Sequence, residues 1–286
     1  MILRVRKAII AQEPGGADVP PAGPVVGTGW LAFGSSVRGI HHLLRGQPNQ
    51  DAVAWSETSE PGQPVVVAVA DGHGSALHPR SGEGAQQAVR IAVAMLEDWL
   101  RFPSPDDGGE ALPRLIVTAW RRAVEDHLAD HPPGGILDLS SQDAHLLYGT
   151  TLLAAVACGG GVFCLQIGDG DILALRADGT LFKPLPDSLG CVGNLTDSLC
   201  QPDAAERFRI CWIEGDVALL LLASDGYGNS YDNDAVFEEI GPDYLALLNR
   251  AGVGRVMAGL PEWLAEITRT GSGDDITLGL LWQPHG

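Results

Sequence analysis

The sequence predicts an α+β fold in which two antiparallel sheets pack together with helices outside them. Three observations carry this. Strand-type and helix-type segments come in blocks rather than one for one: strands, two helices, a long series of strands, two helices, a closing strand. Glycine-rich turns punctuate the long series of strands. Val65–Ala70 is a continuous apolar run with no polar alternation, the pattern of a strand covered on both faces. The chain of 286 residues is long enough for a substantial core, and nothing in it requires a boundary, so 1–286 reads as a single domain.

Residues 1–28, rich in Gly, Pro and Ala beyond residue 12, read as an irregular N-terminal arm. Short apolar runs follow at Trp30–Phe33, Ala52–Trp55 and Val65–Ala70. Ala85, Ala88, Val89, Ala92, Leu96 and Trp99 then recur at helical spacing, as do Leu112, Leu115, Ile116, Ala119, Trp120 and Ala123, with Pro113 suited to a first turn. From Gly149 the period changes. Thr150–Ala157, Val162–Ile167, Asp171–Leu175 and Thr180–Phe182 are strand candidates, parted by Gly159-Gly160-Gly161, Gly168-Asp169-Gly170 and Asp178-Gly179, and they read as an antiparallel meander. Residues 184–206 are irregular. Arg207–Ile213 and Val217–Ala223 are strand candidates, about 234–249 and 255–269 are helical, and Ile276–Trp282 closes the chain as a strand.

Composition excludes several functions. Lys and Arg total 18 against 36 Asp and Glu, a formal net charge of −18, which disfavours nucleic acid and anionic membrane surfaces as partners. The two lysines, Lys7 and Lys183, leave no phosphate-loop or kinase lysine. The longest apolar run, Val217–Ala223, is too short to span a membrane, and the N-terminal residues make no convincing secretory signal. Five cysteines without a C-x-x-C pair point to a reduced, cytoplasmic protein, in which the Asn194-Leu195-Thr196 sequon carries no meaning.

Aspartates recur at strand ends: Asp51 before Ala52–Trp55, Asp71 after Val65–Ala70, Asp169 in the turn after Val162–Ile167, Asp225 just beyond Val217–Ala223, and Asp274 and Asp275 before Ile276–Trp282. Any one of them serves as a turn former. Glycine beside so many, in Asp71-Gly72-His73-Gly74, Gly168-Asp169-Gly170 and Asp225-Gly226, lets the backbone turn sharply and a ligand approach closely. Converging carboxylates repel one another unless cations neutralise them, and oxygen-only clusters select Mg²⁺ or Mn²⁺ over zinc. Two such ions about 3.5–4 Å apart activate water and clamp a phosphoryl group.

Together, Asp71-Gly72-His73-Gly74, Gly149-Thr150-Thr151, Gly168-Asp169, Ser224-Asp225-Gly226 and Asp274-Asp275-Ile276-Thr277 resemble, in order and spacing, the type 2C serine/threonine phosphatases, the metal-dependent protein phosphatase family. Arg45-Gly46-Gln47-Pro48-Asn49-Gln50-Asp51 looks like the family's first motif, in the Gln-Asp form of a bacterial subgroup. The matches run from about residue 34 to 282. The resemblance implies a four-layer α/β/β/α sandwich with two Mn²⁺ or Mg²⁺ ions, or three, at one end. It further implies hydrolysis of phosphoserine and phosphothreonine in proteins by metal-activated water, without a covalent phospho-enzyme, opposite a Ser/Thr kinase and as a monomer. Carried over, Asp71 bridges the metals, the Gly72 carbonyl binds one, Asp225 and Asp274 complete a shell, Asp51 joins from the first motif, and Asp169 holds a third ion. His73 is the general acid, a role its near-neutral pKa suits. Residues 184–206 correspond to the family's variable flap.

Two departures stand out. Gln50 replaces the family's usual Glu and supplies no charge, which lowers affinity for the second metal. Arg45 lies one position further from Asp51 than the common spacing, so the phosphate clamp is Arg45 or, failing it, Arg38. The competing class is a phosphatase-shaped regulator that binds a phosphoprotein without turnover; retention of Asp71, His73, Asp225 and Asp274 favours the enzyme. Other candidates read blandly: His127 and His131 as a solvated helix end, His41 and His42, just upstream of Arg45, as surface loop ahead of active-site rim, Cys191 and Cys200 as idle thiols, Trp99 and Trp120 as core.

Overall fold

The computed structural model describes residues 29–56, 63–101, 109–132, 141–158, 160–186 and 196–284; the predicted arm, Cys191 and the sequon's Asn194 and Leu195 lie outside them. One five-stranded antiparallel sheet has the order β1 (Leu31–Val37), β10 (Ile276–Trp282), β9 (Val217–Ala223), β6 (Asp171–Arg176), β7 (Leu181–Phe182). The second runs β2 (Ala52–Trp55), β3 (Val65–Ala70), β4 (Leu152–Cys158), β5 (Gly161–Ile167), β8 (Arg209–Glu214).

The predicted double coverage of Val65–Ala70 holds residue by residue. Val65, Val67 and Val69 join Leu153, Leu220 and Leu222 in the apolar layer between the sheets. Val66, Ala68 and Ala70 face the other way, against α2 (Ser81–Arg101) and α3 (Leu112–Asp130), where Ala85, Ala88, Ala92, Ile116 and Trp120 are buried. Beyond the first sheet, α7 (Ile240–Ala251) and α8 (Val253–Thr270) bury Tyr244, Leu248, Leu260 and Leu264 against Leu219, Leu221 and Leu280. Three apolar layers between four layers of secondary structure make the expected α/β/β/α sandwich. The large side chains buried in each are worth about 1.5–3 kcal/mol apiece.

The predicted meander is corrected. β4 and β5 form a hairpin in one sheet and β6 and β7 a hairpin in the other; β5 pairs with β8, and β6 with β9. The chain crosses between sheets at Gly168-Asp169-Gly170, where Gly168 has φ 104° and a side chain there would strike Thr151. Gln166 Nε2 donates to the carbonyls of Gly168 and Gly170, holding the corner. A glycine turn that reads locally as a hairpin is here a corner between layers.

Smaller differences follow from chain geometry. The single helix expected over 234–249 is two, α6 (Asp234–Glu238) and α7, parted at Glu239. Arg207 ends a short 3-10 helix (Ala204–Arg207), so β8 starts two residues later than predicted. Three short helices have no predicted counterpart: α1 (Ile40–Arg45), α4 (Ser141–Leu146) and α5 (Asp225–Gly228). Segments this short do not hold a helix alone and show too few turns for a periodic pattern. Among the described residues no helix is long and apolar enough to cross a membrane.

Candidate metal centre

Strand register brings the aspartates to one end of the sandwich. Ala52 pairs with Ala70, so Asp51 and Asp71 leave neighbouring strands side by side. Leu278 and Asp171 both pair with Ala223, so the Asp274–Asp275 and Gly168–Gly170 segments flank Asp225 from either side. Asp51, Asp71, Asp225, Asp274 and Asp169 thus line one cleft of about 950 Å³, together with His73 and Arg45.

Local structure holds each residue in place. The β3–β4 pairing continues past the end of β3: Thr151 N–H donates to the Asp71 carbonyl (2.9 Å), Asp71 N–H to Thr151 Oγ1 (3.0 Å), and His73 N–H to the Gly149 carbonyl (3.1 Å). Gly72 lies so close to Gln50 and Ser81 that a Cβ there would meet their backbones at 2.6 and 2.8 Å. Asp225 opens α5, whose Gly226 packs on the Asp275 carbonyl with no room for a side chain: a Cβ would sit 2.1 Å from that oxygen.

The electrostatics are those of a cation site. Burial, then the charges of Asp275 and Asp225, push Asp51 up to about 7 against the opposing hydroxyls of Ser224 and Thr277. Asp71 is raised well above the ordinary carboxylate range by burial and by Asp51 and Asp225. Asp225 is raised by burial and by Asp169 and Asp274, although Asp71 donates a hydrogen bond to it. Among the described residues no Lys or Arg pairs with Asp51, Asp71, Asp225 or Asp274, and Asp51 Oδ2 is buried without a hydrogen-bond partner. Uncompensated carboxylates and an orphaned oxygen fit an all-oxygen donor set for Mg²⁺ or Mn²⁺. The described His, Cys, Asp and Glu side chains do not close into a cage of three or more around one point.

The other predicted residues sort as follows. Burial and the neighbouring His78 ring, 5.0 Å away, lower His73 to about 4, with Asp169 opposing. This corrects the near-neutral value expected from sequence: in the free cleft the ring is a neutral proton acceptor. Asp169 is exposed, and its Oδ2 accepts from Thr196 Oγ1 at 2.6 Å. Arg45 is exposed on the cleft wall, whereas Arg38 turns away to the Gln47 carbonyl (3.3 Å) and is not part of the cleft.

Two residues carry more than their sequence reading gives them. His42, active-site rim or surface loop by sequence, is 8% exposed and lines the cleft. Its Nδ1 is 2.8 Å from Asp275 Oδ2 and its Nε2 3.8 Å from Asp274 Oδ1. Asp275 is buried and ties three segments together, accepting from Gly39 N–H at Oδ1 (2.6 Å) and from Gln50 N–H at Oδ2 (2.7 Å) besides His42. The repeated Asp274-Asp275 pair was the available signal. Of the bland readings, Trp120 is core, its Nε1 donating to the Gly84 carbonyl, and Trp99 packs on Phe163. His127 and His131 stack at the end of α3 away from the cleft, and Cys200 is a buried free thiol.

A family model described as protein phosphatase 2C matches residues 38–265. The chain belongs to the protein phosphatase 2C family. Membership makes it a metal-dependent serine/threonine protein phosphatase, in keeping with its carboxylate set. It is 27% identical over 268 residues to serine/threonine-protein phosphatase 3 of Escherichia coli (strain K12), covering 88% of this chain and 98% of that one. Its fold is that of the Mycobacterium tuberculosis serine/threonine phosphatase PstP/Ppp (TM-score 0.56, 21% identity, 90% of this chain and 100% of that one). It also matches the PstP catalytic domain solved in complex with two manganese ions (TM-score 0.56, 19% identity, 89% and 98%).

Proposed function

We propose that this type 2C phosphatase hydrolyses phosphoserine and phosphothreonine esters in proteins, with divalent Mn²⁺ or Mg²⁺ held by Asp71, Asp225, Asp274 and the Gly72 carbonyl, Asp51 beside them and Asp169 at the margin. The observation that carries the reading is the convergence of Asp51, Asp71 and Asp225, all raised in pKa, with no Lys or Arg paired with them among the described residues. Bound ions would neutralise the phosphoryl oxygens and supply an acidified attacking water. The chain's own residues do the rest. Arg45, on the cleft wall, meets the phosphoryl group as it enters. His73 takes up a proton when the dianionic ester adds negative charge beside it, and returns that proton to the leaving serine or threonine oxygen. Rigid glycine-packed corners at Gly72 and Gly226 hold the carboxylates in position without reorganisation, the condition under which electrostatic stabilisation is effective.

Of the 184–206 stretch, Thr196, Ser198, Cys200 and Gln201 line the cleft, which supports the flap assignment; residues 187–195 lie outside the described residues. The substrates are products of a Ser/Thr kinase, and the enzyme acts as a cytoplasmic, single-domain monomer; the five cysteines without a C-x-x-C pair support the reduced compartment. No observation favours the binding-only regulator.

The test is hydrolysis of a phosphothreonine peptide with Mn²⁺, with Mg²⁺ and with EDTA, using Asp225→Asn as control. Turnover that requires the ion and is abolished by the substitution is expected. Folded protein without turnover at millimolar Mn²⁺ would overturn the catalytic reading.

A further inference from the structure

We infer that His42 contributes a nitrogen donor to the divalent-cation centre, beside Asp274, making the centre prefer transition ions over Mg²⁺. The inference rests on the metal-dependent reading above and concerns a residue outside its carboxylate set.

Asp275 decides the chemistry of the ring. Its Oδ2 lies 2.8 Å from His42 Nδ1 and already accepts from Gln50 N–H at 2.7 Å, while Oδ1 accepts from Gly39 N–H at 2.6 Å. A carboxylate engaged as an acceptor places the proton of the neutral ring on Nδ1, so Nε2 carries the lone pair. That atom faces the cleft, 3.8 Å from Asp274 Oδ1. A histidine whose second nitrogen is fixed by a carboxylate is the arrangement metal-binding imidazoles adopt.

A second donor faces the same space. Gln50 Nε2 donates to Ser81 Oγ at 2.9 Å, and its Oε1 is buried with no hydrogen-bond partner. A Cβ built on Gly74 would lie 3.6 Å from Gln50 Oε1 and 3.9 Å from His42 Nε2, so both lone-pair atoms border the space beside Gly74. An unpartnered buried amide oxygen is destabilising unless something occupies that space. With Asp274 the donors are one nitrogen, one neutral oxygen and one carboxylate. An imidazole in the shell shifts preference from Mg²⁺ toward the series Mn²⁺ < Fe²⁺ < Co²⁺. On this reading Gln50 completes a site that exchanges a charge for a nitrogen ligand.

The experiment is pulsed electron paramagnetic resonance on the full-length protein loaded with Mn²⁺. A directly bound imidazole couples its nitrogen to the manganese, and labelling the unmutated protein with ¹⁵N-histidine changes that signal without any substitution. Coupling that responds to the label, vanishes in His42→Gln and persists in His41→Gln and His73→Gln is expected. Thermal shift titrations should show the Mn²⁺-over-Mg²⁺ affinity ratio falling by about tenfold in His42→Gln. Bound Mn²⁺ without histidine coupling, or coupling that survives His42→Gln, would overturn this inference and leave the phosphatase reading standing. Failure to bind Mn²⁺ at all would overturn both.

Discussion

The carboxyls of Asp71 and Asp225 meet within hydrogen-bonding range although they stand at the ends of β3 and β9, strands of different sheets. Two acids brought together in this way destabilise the metal-free fold and are stabilised by a cation between them. Asp225→Asn should therefore abolish turnover while raising the melting temperature in EDTA, by about 2–4 °C for each kcal/mol of relieved repulsion. A lower melting temperature in EDTA would show that the Asp71–Asp225 hydrogen bond outweighs the repulsion.

Asp51 gives the pH dependence. Its folded pKa of about 7 exceeds the ordinary 3.8, so between these values the folded state holds a proton that the unfolded chain has released. Metal-free stability should then rise as pH falls through 7 toward 4, by at most about 1.4 kcal/mol per pH unit for this one proton. Urea unfolding in EDTA between pH 8 and pH 5 reads the slope directly. Saturating Mn²⁺ should flatten or invert it, because an ion competes with that proton. A slope of the opposite sign in EDTA would contradict the raised pKa.

Gly226→Ala tests the corner under Asp225. The added Cβ meets the Asp275 carbonyl, a backbone atom just before β10 that cannot swing aside. The expected cost is about 1–3 kcal/mol in chemical denaturation, accompanied by a larger fall in kcat than in stability, since Asp225 and Asp274 move apart. Unchanged kcat in a folded variant would mean that the corner is not needed for the chemistry.

Arg45 and Arg38 are separable by kinetics. Arg45→Ala should raise KM for a phosphothreonine peptide by about tenfold, the loss of one charge-assisted hydrogen bond. Arg38→Ala should leave KM within about twofold, because its guanidinium is directed to the Gln47 carbonyl and away from the cleft. The reverse pattern would assign the phosphate clamp to Arg38.

Much of the architecture was legible because it depends on local chemistry. The helical spacing of Ala85 to Trp99 and Leu112 to Ala123 marked α2 and α3, and the unbroken apolar run at Val65–Ala70 marked a strand covered on both faces. The crossing at Gly168-Asp169-Gly170 was not legible, since a two-strand hairpin and a corner between layers use the same glycines. Nor was α1. Its first N–H groups are satisfied by Thr268 Oγ1 and the Gly273 carbonyl, and its His42 by Asp275, all more than 220 positions away in the chain.

By itself, the sequence determined which aspartates end strands, which glycines let them turn, and that an acidic, lysine-poor chain would need cations rather than lysines to hold phosphate. These are properties of residue type and near neighbours. Only the tertiary structure decided that Asp51, Asp71 and Asp225 share one low-dielectric cleft, that His73 is neutral there, and that Arg45 faces it while Arg38 does not. It alone made Asp275 the tie between β10, α1 and the first motif, leaving His42 Nε2 beside Asp274. The reason is physical: pKa and tautomer are set by burial and by the groups across a few ångströms of space, and strand register from opposite ends of the chain determines which groups those are.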